Sequence, residues 1–331
     1  MSQNKYSPHN HPRQKCFTIL VNEHDAGKRL DMVVASCISD CSRSFSANLI
    51  RNGKILVHGT LKKPGYHVRE GDEICGLIPS PKPVLFEPEP VEIDIIYEDE
   101  HLVVINKQPG LVVHPAPGHH RGTLVNGLLY HCPGLKEMGE KLRHGIVHRL
   151  DKNTSGVLVV AKNEVAHNNL ALQFKSRKIK KRYLAIVRGK TGSDSGAISL
   201  PIGRHPINRK KMSTISRKTR SAETSWKVME RFCKATLLEI NLKTGRTHQI
   251  RVHCNAINHP VLGDSVYCGR KTLKNIKAPR QMLHAWQIEF THPVTKISMS
   301  FEAPVPQDMK ELIKALRLSQ QPEVVNAKSE F

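Results

Sequence analysis

Five prolines fall between positions 79 and 90, at 79, 81, 83, 88 and 90. Proline has no backbone N–H and a nearly fixed φ, so neither a helix interior nor a central strand can run through such a stretch. The chain is therefore expected to fold as two units, 17–78 and 91–317, joined by a semi-rigid extended linker over 79–90. Residues 1–16 read as a disordered arm and 318–331 as a tail.

Charge narrows the partner. The chain carries 51 Lys+Arg against 29 Asp+Glu, a formal net charge of +22. A surplus this large raises self-repulsion and calls for a polyanion. No apolar run approaches the roughly 20 residues of a membrane span, and no basic amphipathic anchor stands out, so nucleic acid is the expected partner and a membrane is not. The eight cysteines, at 16, 37, 41, 75, 132, 233, 254 and 268, form no C-x-x-C pair and sit mostly among apolar neighbours. With no secretion signal in the opening residues, they read as reduced, packing cysteines of a cytoplasmic protein.

The basic residues are unevenly placed. Residues 17–78 hold eight Lys/Arg and seven Asp/Glu, so an RNA-facing surface there needs local clustering of Lys28, Arg29, Arg43, Arg51 and Lys54. The plain alternative is a solvated helical face. In the larger unit, 175–182 holds six cations, 201–220 seven with no acid, and 270–280 five with no acid. The second of these runs includes Arg204, Arg209, Lys210 and Lys211. Three unopposed basic segments in one unit are expected to lie against an RNA backbone.

Periodicity supplies the elements. Leu30, Val33, Val34, Cys37 and Ile38 share one face of a helix. Ser42 or Ser44 caps a second helix ended by Gly53, and Ile55–His58 is a strand running into a turn. In the larger unit, Glu92–Glu100 reads as a solvated acidic edge. Thr123 caps one helix, 164–174 forms another, and Thr247 caps a third bearing Ile250, Cys254 and Ile257. Arg182–Val187 and Thr236–Leu242 are strands, and Gln307–Arg317 is a terminal helix. Many strands with a few interspersed helices indicate an α+β fold with a mixed, mostly antiparallel sheet.

Chemistry concentrates in two segments. In Gly145–Gly156 a short apolar strand is expected to deliver Arg149 and Asp151 to a turn made by Asn153–Gly156, after which Val157–Val160 returns to the core. Asp151 either caps its own turn or presents a carboxylate at the lip of the sheet. Thr244–His253 is expected to place Arg246 and Arg251 at a helix start, against the helix dipole, which points to a carboxylate partner. Common catalytic patterns are missing. The position of the first P-loop glycine is Leu184, and there is neither H-E-x-x-H nor G-x-S-x-G. His144 and His148, four apart in an expected strand, do not converge, so no metal site is expected.

His148-Arg149-Leu150-Asp151 with Thr154-Ser155-Gly156, then Lys181-Arg182-Tyr183, then Gly245–His253 resemble the three motifs of the RluA family of pseudouridine synthases. The helix–helix–hairpin order of 17–78 resembles the S4 RNA-binding fold. With His114–Gly118, Arg204-His205-Pro206 and Ala303–Met309, the whole is similar to the RluD-like members of that family, which act on the large ribosomal subunit, although Asn153 replaces a usual acid. The resemblance implies isomerisation of uridines in ribosomal RNA by a monomer, with no cofactor or metal. It implies Asp151 as the essential acid, acting as nucleophile or as proton abstractor. Arg251 would pair with Asp151, Tyr183 would stack on the base and assist proton movement, and Arg149 would enter the space the flipped base leaves. A non-catalytic RNA-binding scaffold and an RNA glycosylase or nuclease are the alternatives. The joint presence of Asp151, Tyr183 and Arg251 stands against the first, and the lack of a second positioned carboxylate or metal set against the second.

Overall fold

The computed structural model describes residues 14–38, 41–79, 86–115, 121–139, 142–208, 210–216, 218–268 and 278–319. The chain divides into two compact units, 1–84 and 85–331.

The smaller unit contains β1 (Gln14–Leu20), α1 (Leu30–Cys37), α2 (Arg43–Arg51), β2 (Ile55–Val57) and β3 (Glu73–Pro79). Its antiparallel sheet has the order β1-β3-β2. α1 buries Leu30, Val33 and Val34, while Cys37, at its last position, is exposed. Ser42 caps α2 by accepting from the Phe45 N–H at 3.3 Å. His58 (φ 47°) and Gly59 (φ 71°) both adopt left-handed backbone after β2. β1 starts at Gln14, inside the arm expected to end at 16, because Gln14–Cys16 pair with Leu77–Pro79. That ladder depends on a distant strand, which the local polar composition does not reveal. The rest of the arm, half of the linker and most of the tail lie outside the described residues.

Among its described residues, the larger unit has nine strands in one sheet and three in another. Strands β4 (Ile95–Glu98), β5 (Leu102–Lys107), β6 (Ser155–Ala161), β7 (Lys180–Arg188) and β8 (Ser195–Ile198) come first. Strands β9 (Ile202–Arg204), β10 (Met212–Ser213) and β11 (Thr219–Arg220) leave to form the small sheet. Strands β12 (Thr224–Arg231), β13 (Ala235–Leu242), β14 (Leu283–Thr291) and β15 (Ser298–Glu302) then complete the large one. Its order is β4-β5-β6-β14-β7-β13-β12-β8, with β15 also on β14, and among the described residues only the β6–β14 pair is parallel. The helices are α3 (Leu124–His131), α4 (Leu135–Met138), α5 (Glu164–Lys175), α6 (Gln249–Ala256) and α7 (Gln307–Leu318).

Two cores flank this sheet, and β7 shows why. Its side chains alternate. Tyr183, Ala185 and Val187 join the main core with Leu128 of α3 and Leu170 of α5. Leu184 and Ile186 join a second core with Met309, Leu312 and Leu316 of α7. β6 is buried along its whole length, which is why, after Ser155 and Gly156, it continues as the apolar run 157–161.

Three expectations change. Gly145–Leu150 is not a strand: Arg143–Gly145 is a short 3-10 turn, Ile146 makes one isolated bridge to Val160, and His148 Nε2 takes the Val159 N–H at 3.0 Å. That side chain occupies the place of a ladder bond. α6 is preceded not by a Thr247 cap but by His248 in left-handed conformation (φ 57°). The acidic stretch, expected as a solvated edge, contains the edge strand β4, and Glu98 and Asp99 are engaged. Lys162 donates to Glu98 at 2.8 Å, His131 lies 2.8 Å from it, and Asp99 accepts the His101 and Leu102 N–H groups. Glu98, His131 and Cys132 approach closely enough to hold a metal, but Lys162 and His131 already occupy both Glu98 oxygens. Among the described residues, no helix is long and apolar enough to cross a membrane.

Candidate active site

The turn entering β6 is held by its backbone, which leaves its carboxylate for other work. Thr154 N–H donates to the Asp151 carbonyl at 3.0 Å, so the main chain of Asp151 closes the turn. The neighbouring carbonyls are tied down from β5 and from the segment leading into β14. Lys107 Nζ donates to the carbonyls of Gln108, Leu111 and Lys152 at 2.7, 2.9 and 3.1 Å. Arg280 Nη1 donates to the Asn153 carbonyl at 3.1 Å, and Gln281 Nε2 to Thr154 Oγ1 at 2.9 Å. Gly156 (φ 116°) then lets β6 run against β14, since a Cβ there would stand 2.1 Å from the Ala285 carbonyl.

The Asp151 side chain, 21% exposed, meets Arg251. Arg251 Nη1 donates to Asp151 Oδ2 at 2.7 Å, across 100 residues of sequence. Arg251 lies in the first turn of α6, where a cation opposes the helix dipole. Two carboxylates compensate. The second is Asp264, wholly buried, which accepts Arg251 Nε at 2.6 Å and Nη2 at 3.0 Å as a two-pronged fork. Asp264 is itself oriented by the Val266 and Tyr267 N–H groups. The Tyr267 ring faces the guanidinium carbon at 5.2 Å. His248 Nε2 stands 3.8 Å from Asp151 Oδ2, and its Nδ1 is 2.9 Å from the Tyr267 hydroxyl.

The electrostatics follow from this packing. Burial works against charge on Arg251, but Asp264 and Asp151 outweigh it and hold its pKa above the ordinary value. Burial, reinforced by the Asp151 charge, raises the Tyr183 phenol, so Tyr183 is a neutral hydroxyl at physiological pH. Burial and then Arg280 push Lys107 down to about 7, with Asp151 opposing. Burial also lowers His248, against the pull of Asp151.

The other sequence-derived residues fall in different places. Tyr183 lies mid-strand in β7 and feels the Asp151 charge. Arg149 is exposed, and its charge reaches His248. Lys211 Nζ lies 5.8 Å from the Tyr267 ring centroid, so one member of the 201–220 run reaches the site's edge. Arg204 and Lys210 are exposed, Arg246 Nε donates to the Ser221 carbonyl at 3.1 Å, and Arg209 lies outside the described residues. In the smaller unit, Lys28 pairs with Asp25, and Arg29 and Arg43 both pair with the buried Asp31. Arg51 and Lys54 are exposed and, among the described residues, show no ion pair.

Residues 101–256 match the RNA pseudouridylate synthase family and residues 28–74 the S4 domain. An uncharacterized RNA pseudouridine synthase of Bacillus subtilis is 44% identical over 299 residues, 90% of this chain and 97% of that protein. The chain belongs to the RNA pseudouridine synthase family. The ribosomal large subunit pseudouridine synthase D of Neisseria meningitidis serogroup B is 44% identical over 302 residues, 88% of this chain and 80% of that protein. Among solved structures, human RNA pseudouridylate synthase domain containing 1 aligns with TM-score 0.53 and 27% identity, covering 74% of this chain and 100% of that one. This synthase is therefore an RNA-modifying isomerase with an S4 unit in front of its catalytic unit. Asp151, Tyr183 and Arg251 lie inside the family match, whereas Asp264, Tyr267 and Arg280 lie beyond it.

Sequence reasoning missed Lys107, Asp264, Tyr267 and Arg280. The one available signal was Gly263-Asp264, a turn dipeptide in an otherwise apolar stretch. Gly263 (φ 73°) is required there, because a Cβ would stand 1.8 Å from the Arg280 carbonyl.

Proposed function

We propose that this synthase converts specific uridines of large-subunit ribosomal RNA to pseudouridine, with Asp151 as its one essential carboxylate and without a cofactor. The observation that carries the reading is the Arg251–Asp151 contact of 2.7 Å, with the carboxylate still partly open to solvent. A guanidinium so placed holds the carboxylate and aims it. The ribosomal assignment rests on relatives named ribosomal large subunit pseudouridine synthase D, in Neisseria meningitidis and in Zymomonas mobilis, the latter 43% identical over 310 residues.

In the reaction the N1–C1′ bond of uridine breaks, the uracil turns, and C5 bonds to C1′. The proton on C5 leaves and N1 gains one, so atoms balance with no external reagent. Asp151 either attacks the nucleoside or removes a ribose proton; both use the same carboxylate. Tyr183, neutral and within the field of that carboxylate, stacks on the base and relays the C5 proton. The exposed Arg149 fills the stack that the flipped base leaves. The cation-rich surface binds the phosphates, and the chain works as a cytoplasmic monomer on naked RNA or on a pre-ribosomal particle.

The test is tritium release from RNA labelled at uridine C5. The wild-type chain, pre-treated with a chelator, is expected to release tritium. Asp151→Asn is expected to release none while its RNA affinity stays within about threefold. Binding by both proteins with release by neither would overturn the catalytic assignment and leave a scaffold. Mapping pseudouridines in ribosomal RNA from cells lacking the protein identifies the substrate.

A further inference from the structure

Against Tyr267, whose ring also faces Arg251, lies a separate cavity of about 240 Å³. Its walls include His205, Lys211 and Ser213 beside the small sheet, Asn255 and Ala256 at the end of α6, and Tyr267 itself. We propose that this cavity seats the base of the nucleotide adjacent to the target uridine on the same RNA strand, with its phosphate against Lys211. The proposal rests on the reading that the target uridine meets Asp151.

Continuity is the first argument. Tyr267 lines the cavity and also touches the residues around Asp151: its ring faces Arg251, and its hydroxyl takes the Met212 N–H at 2.7 Å and lies 2.9 Å from His248 Nδ1. A strand with one nucleotide turned toward Asp151 thus meets this cavity across a single aromatic ring. The volume is below that of a drug-sized ligand site, which suits one base.

The chemistry of the lining is the second. Lys211 supplies an ammonium. His205 Nδ1 accepts the N–H groups of Ile207 and Asn208, so Nε2 carries the ring proton and is a donor. Ser213 Oγ accepts the Ile215 N–H and keeps a hydroxyl proton to give. A donor-rich lining suits the acceptor oxygens of a base edge and of a phosphate. No acid occurs between 201 and 220, and Arg204 and Lys210 are exposed beside it.

The third argument is Ile207 and Ile215, which are 88% and 82% exposed. Each stands on a turn fixed by the side-chain bonds just described, so the apolar tips are presented rigidly among cations. Apolar side chains held in that way suit contact with base faces or insertion between them.

The experiment uses the full-length Asp151→Asn chain, which binds without turnover, so its outcome is separate from the activity test. The probes are the RNA stem-loop carrying the mapped uridine and two copies with an abasic residue immediately 5′ or 3′ of it. Dissociation constants are read by fluorescence anisotropy. One abasic copy is expected to bind about tenfold more weakly than the parent RNA, the order of one lost base contact. Adding Ala256→Trp, which fills the cavity, should weaken the parent RNA by a similar factor and abolish the difference between parent and abasic RNA. Adding Lys211→Ala should weaken binding and reduce the salt slope by about one. Equal binding of all three RNAs, or abasic and protein effects that simply multiply in both variants, would overturn the proposal. Failure of wild type to release tritium would instead count against the catalytic reading.

Discussion

Arg251 is held by two carboxylates that do different jobs. Asp264 takes Nε and Nη2, which leaves Nη1 to point at Asp151. Asp264 is therefore a positioning residue, fully buried and fixed by two backbone N–H groups. Asp264→Asn keeps the shape but weakens the charged fork, so Arg251 gains rotational freedom. The expected outcome is a fall in kcat for tritium release of roughly 100-fold with KM changed by less than about threefold. A role confined to stability would lower the melting temperature and leave kcat intact. Arg251→Lys is expected to lose activity to a similar extent, because a point-charge ammonium cannot span both carboxylates. The sequence already marked Arg251 as misplaced on a helix N-terminus; nothing local named Asp264 as its other partner.

Elements meet at the Asp151 turn through Arg280. Its fork engages Asp308 of α7 at 2.7 and 2.9 Å, and its Nη1 reaches the Asn153 carbonyl. α7 thus does more than bury Met309, Leu312 and Leu316. It anchors the cation that holds the turn before β6. Asp308→Ala would leave a buried guanidinium without its carboxylate, with an expected loss of about 3 kcal/mol, read as a lower urea midpoint at unchanged slope. Helices α2, α3 and α5 were legible because their caps and apolar spacing are local. The segment before Asp151 is not the expected strand because its apolar residues pack with a single isolated bridge, Ile146 to Val160, and His148 takes the hydrogen bond a ladder partner would have made.

For the whole molecule, pH and charge set the limits. Burial lowers His284 to about 4, with its Nε2 3.1 Å from the Ala303 carbonyl and its Nδ1 3.0 Å from Ser155 Oγ. The unfolded chain takes up this proton near pH ~6.5 and the native state only near 4, so the stability contributed by neutral His284 is lost as pH falls through that window. The slope is at most about 1.4 kcal/mol per pH unit for the one group. His248 and His253 are shifted down by burial in the same direction. Lys107 acts at the other end: its native pKa of about 7 lies below its unfolded value, so stability grows as pH rises above 7. Urea midpoints are expected to rise from about pH 5 to about pH 8; a flat profile would contradict the buried neutral histidines. Removing residues 1–84 is expected to weaken RNA binding several-fold and leave a folded catalytic unit that still releases tritium.

The family resemblance singled out Asp151, Tyr183 and Arg251, and the sequence by itself determined the two-unit plan, the α+β class and most helices. Those features are encoded by neighbours a few residues apart: prolines, caps, alternation and short motifs. Only the tertiary structure decided that the main chain of Asp151 closes its turn and frees its carboxylate, that Asp264 shares Arg251, and that Lys107 and Arg280 clamp the turn. Each of those contacts joins residues that no local rule brings together. Their energies come from charges and carbonyls desolvated side by side, which happens only once the sheet has closed.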